Sequence, residues 1–213
     1  PSEEELSPHI GVDESGKGDF FGPLVIAAAY TNEDLYKRLR EIGVQDSKAI
    51  TSDKQAIAIA EKIKKILGPT RYAIVRIGNA AYNRLYAKYK SVNTILAWGH
   101  ARAIENLITN IPSCKLAISD QFGNTEEIIK RALMQKGKSI ELKQRHKAEA
   151  DVAVAAASIL AREAFLTSLK QMEEKYTNKF PKGASPQVKD AAVLLAEAHG
   201  INVFVETSKC HFK

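Results

Sequence analysis

The chain has 213 residues, enough for one large domain with a sizeable core. Hydrophobic residues make up 45% and charged residues 26%, a balance that excludes a disordered or collagen-like chain. Lys and Arg outnumber Asp and Glu by 31 to 25, a net charge of +6, which permits a polyanionic ligand such as nucleic acid without establishing one.

Residues 1–9 read as a loose acidic tail, without the basic and apolar regions of a signal peptide. Strands are expected at 11–14 and 22–30, around the turn Ser15-Gly16-Lys17-Gly18-Asp19. The second strand is apolar almost throughout, as one covered on both faces would be. A short helix over 33–42 stops at Gly43, and a polar loop holds Asp46-Ser47-Lys48. Ser52 and Gln55 form a capping box for a helix that ends at Leu67, before Gly68-Pro69. Residues 71–77 alternate and are rich in Ile and Val, a strand. Helices follow at 79–89 and 93–109, then a strand over 115–119 ending at Asp120. A helix over 125–135, an extended stretch at 139–143, a long Ala-rich helix over 151–176 and a last helix over 187–199 complete the pattern. The longest apolar run, 152–161, is Ala-rich and too short to cross a membrane. The whole predicts an α/β protein, a mixed central sheet flanked by helices with a helical C-terminal region.

Acidic residues stand at the ends of these elements. Asp13-Glu14 closes the first strand, where two neighbouring carboxylates reach one site only if the strand ends or twists there. Asp120 closes another strand, and the carboxyl ends of strands are where sites collect in open α/β sheets. Glu149 and Asp151 open the long helix, about 200° apart if both were helical. Taken singly these acids read as a solvated strand end, a turn aspartate and helix-capping residues. Taken together they suit hard divalent cations, which want oxygen ligands and in pairs support phosphodiester cleavage.

Gly11-Val-Asp-Glu-Ser-Gly16-Lys17-Gly18 approaches a phosphate-binding loop, but Gly18 stands where Ser or Thr is required and Asp13 and Glu14 would repel phosphate. Gly16 and Gly18 instead let the backbone come close to a substrate, with Lys17 between them for a phosphate. His9, His100, His146, His199 and His211 are scattered without metal-type spacing and read as structural or surface residues. Trp98 falls in an apolar helical pattern and is expected in the core. Cys114 and Cys210 need no disulfide and fit a reducing, cytoplasmic setting.

The stretch 11–25, GVDESGKGDFFGPLV, resembles the opening of the prokaryotic ribonucleases HII and HIII. Asp46-Ser47-Lys48, Asn93-Thr-Ile-Leu-Ala97 and Ala156-Ala-Ser-Ile-Leu-Ala-Arg162 resemble further landmarks of that family, and the likeness runs from Ile10 to Phe212. Asp19, Asp120-Gln121-Phe122, Lys147-Ala148-Glu149, Lys182-Gly183-Ala184-Ser185 and Lys209-Cys210-His211-Phe212 are similar to type HIII. Lys17 departs from the Thr usual in HIII and the Arg usual in HII, and Ala184 stands where HII carries a tyrosine.

The resemblance implies a ribonuclease H-like catalytic domain over 10–213, a metal-dependent endoribonuclease that cuts the RNA strand of RNA–DNA hybrids to give 5′-phosphate and 3′-hydroxyl ends. It implies two divalent ions, Mg²⁺ or Mn²⁺, on Asp13, Glu14, Asp120 and Glu149, with Asp151 as a substitute for the last. Substrate contacts fall on Gly16, Lys17, Gly18, Ser47, Lys48 and Asn93. A monomer without obligate protein partner or membrane is expected. Such relatives carry an extra N-terminal substrate-binding domain, for which this sequence has no room. The alternatives are HII-like incision at single embedded ribonucleotides, which Ala184 disfavours, and a non-catalytic hybrid-binding module.

Overall fold

The computed structural model describes residues 1–44, 50–120, 126–133, 139–145 and 148–212. Its centre is a five-stranded mixed sheet in the order β3-β2-β1-β4-β5. Strand β1 (His9–Ser15) pairs antiparallel with β2 (Leu24–Thr31), from His9 opposite Thr31 to Ser15 opposite Val25. Strand β3 (Tyr72–Ile77) continues the antiparallel side. On the other side β4 (Leu116–Asp120) runs parallel to β1, and β5 (Glu141–Arg145) runs parallel to β4.

The unbroken apolar run of β2 follows from its central place. Leu24, Ile26 and Ala28 face one core, and Val25, Ala27 and Ala29 face the other. The first core is closed by α4 (Asn79–Tyr89), α5 (Val92–Asn110) and α6 (Glu126–Ala132). The second is closed by α2 (Glu33–Glu41), α3 (Asp53–Leu67), α7 (Val152–Tyr176) and α8 (Pro186–His199). A 3-10 turn, Ile201–Val203, and the short α9 (Phe204–Thr207) complete the helical C-terminal region. The mixed sheet between helical layers is the architecture expected from the sequence.

Helix α7 passes so close to the sheet that a Cβ on Gly11 would stand 2.1 Å from the Val154 nitrogen and 2.2 Å from the Ala153 carbonyl carbon. Its small alanines make this approach possible: Ala153, Ala155, Ala156 and Ala157 are fully buried. By length and composition α7 could cross a membrane, unlike the shorter run picked out in the sequence, but 72% of its most apolar window is buried inside the protein. It is the core helix.

Residues 1–9 differ from the expected loose tail. Ser2 and Glu5 form a reciprocal capping box around a one-turn helix, α1 (Glu3–Leu6). Glu4 pairs with Lys143 at 2.9 Å and with Arg145 on the far edge strand. His9 is the first residue of β1, fully buried, with Nε2 2.9 Å from Asp151 Oδ2. Trp98 is also displaced from expectation: it is 42% exposed rather than in the core.

Candidate active site

The parallel pairing of β1 and β4 sets Val12 beside Ser119. The next pair in that register is Asp13 and Asp120, each at the carboxyl end of its strand. Neighbours in register on parallel strands point to the same face, with strands about 4.8 Å apart. That face is the α7 side, since Gly11 and Ile118, two residues earlier, pack against Val154. The backbone N–H groups of Glu14 and Ala148 donate to Asp13 Oδ1 at 2.8 Å and Asp120 Oδ1 at 3.3 Å. Ser158, on the second turn of α7, gives Asp13 a side-chain hydrogen bond.

Glu14 projects to the opposite face, toward α5, where its Oε2 lies 2.9 Å from Nε2 of the fully buried His100. Its carboxyl is still close enough to Asp13 for the two charges to repel. Burial and that repulsion raise Asp13 to about 7, against the lowering by its hydrogen bonds and His100. Burial alone would raise Glu14 too, but His100, with Lys17, outweighs it and holds Glu14 below the ordinary carboxylate range. Two carboxylates crowded in this way form a place where a cation relieves both burial and repulsion.

Glu149 lies in a 3-10 turn, Ala148–Ala150, directly before α7. Its side chain is outside the described ones. Asp151 is the N-cap of α7: Oδ1 accepts from the Ala153 and Val154 N–H groups, and Oδ2 holds His9. Both Asp151 oxygens are therefore engaged within the protein. The helix begins after both residues, so the 200° separation expected for helical positions does not arise. Among the described residues no three His, Cys, Asp or Glu side chains gather closely enough to hold one ion. The structure brings Asp13, Glu14 and Asp120 to one sheet edge. All their donors are oxygen, the chemistry that suits Mg²⁺ or Mn²⁺.

Beside these acids is the glycine turn. A strand follows it and not a helix, which removes the nucleotide-loop reading. Gly16 takes φ +92°, and a Cβ there would meet the Pro23 carbonyl oxygen at 2.4 Å. Gly18 faces open space, with nothing within 4 Å of a built Cβ, and Lys17 is exposed between them. Asp19 Oδ1 accepts from the Gly183 N–H at 2.7 Å, and the Phe20 N–H donates to the Gly183 carbonyl. Lys209, fully buried, donates to the Asp19 and Gly22 carbonyls at 2.8 and 2.6 Å. The turn is thus clamped to the Lys182-Gly183-Ala184 loop and to the C-terminal segment. Asn93 sits in the first turn of α5, half-buried. Ser47 and Lys48 lie outside the described residues.

Sequence reasoning missed His100, Ser158 and the clamp of Asp19. His100 could have been found, because it falls on the apolar stripe Leu96, Gly99, His100, Ala103 of α5, where a polar residue needs a partner.

A mixed sheet with carboxylates at the ends of its central parallel strands, beside an exposed glycine turn, is the arrangement of a metal-dependent nuclease of the ribonuclease H-like fold. The family model for ribonuclease HII matches residues 10–213. The chain is 44% identical to ribonuclease HIII of Protochlamydia amoebophila over 98% of its own length and 67% of that protein's. It is 45% identical to ribonuclease HIII of Chlamydia pneumoniae over 99% of its length and 70% of that protein's. The crystal structure of Bst-RNase HIII in complex with Mn²⁺ superposes with a TM-score of 0.88 at 32% identity, covering 97% of this chain and 67% of the other. The chain belongs to the ribonuclease HII family, in its ribonuclease HIII branch. It spans about two thirds of the length of these relatives.

Proposed function

We propose that the chain hydrolyses the RNA strand of RNA–DNA hybrids endonucleolytically, with Mg²⁺ or Mn²⁺ held by Asp13, Glu14, Asp120 and Glu149. One observation carries the site assignment: Asp13 and Asp120 end adjacent parallel strands in register and face the corner where Glu149 precedes α7. When bound, a pair of such ions activates water and stabilises the leaving 3′ oxygen, so the products carry 5′-phosphate and 3′-hydroxyl ends.

The protein's own groups do the positioning. Ser158 and the Glu14 N–H hold the Asp13 carboxylate, and the Ala148 N–H holds Asp120. His100 fixes Glu14 from behind. The open backbone at Gly18 accepts close approach of the RNA strand, and Lys17 meets a phosphate. Ser47, Lys48 and Asn93 extend that contact. Recognition of the 2′-hydroxyl and hybrid shape, rather than base sequence, sets specificity. The reading takes the chain as a cytoplasmic monomer; its two cysteines, free of disulfides, suit that compartment.

The test is cleavage of a uniform hybrid with EDTA, then with each metal restored, for the parent and Asp13→Asn. The variant is expected to lose at least about a thousandfold in turnover while keeping hybrid affinity within a few-fold. Full activity in Asp13→Asn refutes the ligand assignment, and cleavage in EDTA refutes metal dependence. A duplex with one embedded ribonucleotide is expected to be cut poorly; efficient incision there would mark HII-like behaviour.

A further inference from the structure

Helix α5 stands partly beyond the catalytic edge of the sheet. His100 meets Glu14 at the end of β1, and a Cβ on its neighbour Gly99 would strike Ile26, the residue paired with Glu14. The helix feeds β4, which runs parallel to β1, so it descends alongside the sheet. Its first turns, from Val92, therefore extend toward and past the level of Glu14, by up to about 12 Å at 1.5 Å per residue.

On the outer face of that overhang, α4, α5 and α6 enclose a cleft of about 300 Å³. Leu85, Ile95 and Ile128 form its apolar walls, and Tyr89, Trp98 and Arg131 its polar and aromatic rim. Tyr89 is 46% exposed and Trp98 42%, unusual for large aromatics sharing one cavity. Each ring carries a cation: Arg102 lies 5.5 Å from the Trp98 centroid and Lys88 5.0 Å from that of Tyr89. No carboxylate lines the cleft among the described residues. Aromatic faces interleaved with cations are the chemistry that holds unpaired nucleotides, through base stacking and phosphate contact. The volume is at the small end for ligand sites, enough for one base and too little for a base pair with its backbone.

We propose that this cleft is an accessory subsite for an unpaired nucleotide flanking the hybrid, its base stacked on Trp98 beside Tyr89 and its phosphate met by Arg131. The proposal rests on the ribonuclease reading for the duplex and adds a preference for hybrids that end in a single strand. Base recognition is by stacking, so it is tolerant of sequence.

Trp98 is the single tryptophan of the chain, so tryptophan emission, excited at the red edge where tyrosine does not absorb, reports this cleft. Hybrids with a blunt end, or with a four-nucleotide extension on either strand at either end, are titrated in EDTA, and their KM and kcat are measured with Mg²⁺. At least one extension is expected to quench Trp98 saturably and to lower KM about tenfold relative to the blunt hybrid, the worth of one stacked base, with kcat unchanged. Which extension does so names the strand. In Trp98→Ala and in Arg131→Glu, which keeps the reporter, the KM ratio is expected to fall to near one. Unchanged emission with all extensions overturns the subsite, as does equal quenching by the blunt hybrid, which would place the contact on duplex. The titration reads the cleft whether or not anything is cut. Failure to cleave the blunt hybrid bears instead on the ribonuclease assignment.

Discussion

Gly11→Ala tests the closeness of α7 to β1. The added methyl would stand 2.1 Å from the Val154 nitrogen, 2.2 Å from the Ala153 carbonyl carbon and 2.6 Å from its oxygen. These are backbone atoms, so no side-chain rotation relieves the clash. Restoring ordinary contact requires the two elements to separate by about 1.3 Å, and overpacking on that scale is expected to cost about 3 kcal/mol or more. The separation also moves Ser158 away from Asp13, and a displacement near 1 Å in a catalytic site can cost about a hundredfold in rate. Thermal unfolding with calorimetric ΔH gives the first quantity, and single-turnover hybrid cleavage gives the second. Gly18→Ala is the control for stability, because nothing lies within 4 Å of its Cβ position. A Gly11→Ala protein that unfolds within about 0.5 kcal/mol of the parent, the scatter of neutral surface changes, would refute the argument from close packing.

Asp151→Ala and Glu149→Gln are expected to separate cleanly. The first removes two capping hydrogen bonds and strands the buried His9, at about 2–4 kcal/mol of stability by denaturant titration. The second is expected to abolish turnover with little change in stability; the reverse pattern would make Asp151 the ligand. Burial pushes the Lys209 ammonium down to about 7, with Asp19 opposing, against 10.5 for an exposed lysine. The unfolded chain then binds the extra proton between those values, so stability is expected to rise with pH above 7, by at most about 1.4 kcal/mol per unit. Unfolding midpoints from pH 7 to 9 check this, and Lys209→Met, lacking the titrating group, is expected to flatten the rise.

Most of the architecture was legible because it is local. The alternation of 71–77 became β3, Ser52 caps α3 by accepting from the Gln55 N–H, and the continuous apolar run of β2 matched burial on two faces. The acids at strand ends were equally plain, since hydrophobic runs stop at Asp13-Glu14 and Asp120. What escaped depends on distant partners. The N-terminal segment read as a loose tail, because its one-turn helix gains its order from Glu4 reaching β5 and His9 reaching Asp151. Trp98 shares its helix with buried apolar residues, and periodicity could not show that its side points into an open cleft between α4 and α6. The pairing of Glu14 with His100 joins two elements that only the folded sheet brings together.

The parallel contact of β1 with β4 has a kinetic consequence. Two strands from well-separated parts of the chain must dock before Asp13 and Asp120 become neighbours, and closing so long a loop is among the slower events of folding. Helices and the local β1–β2 hairpin can form earlier without producing a cleavage centre. A partly folded molecule therefore carries isolated acids with little hold on a divalent ion. Competence to cut a hybrid therefore depends on long-range docking and not on any one segment folding locally.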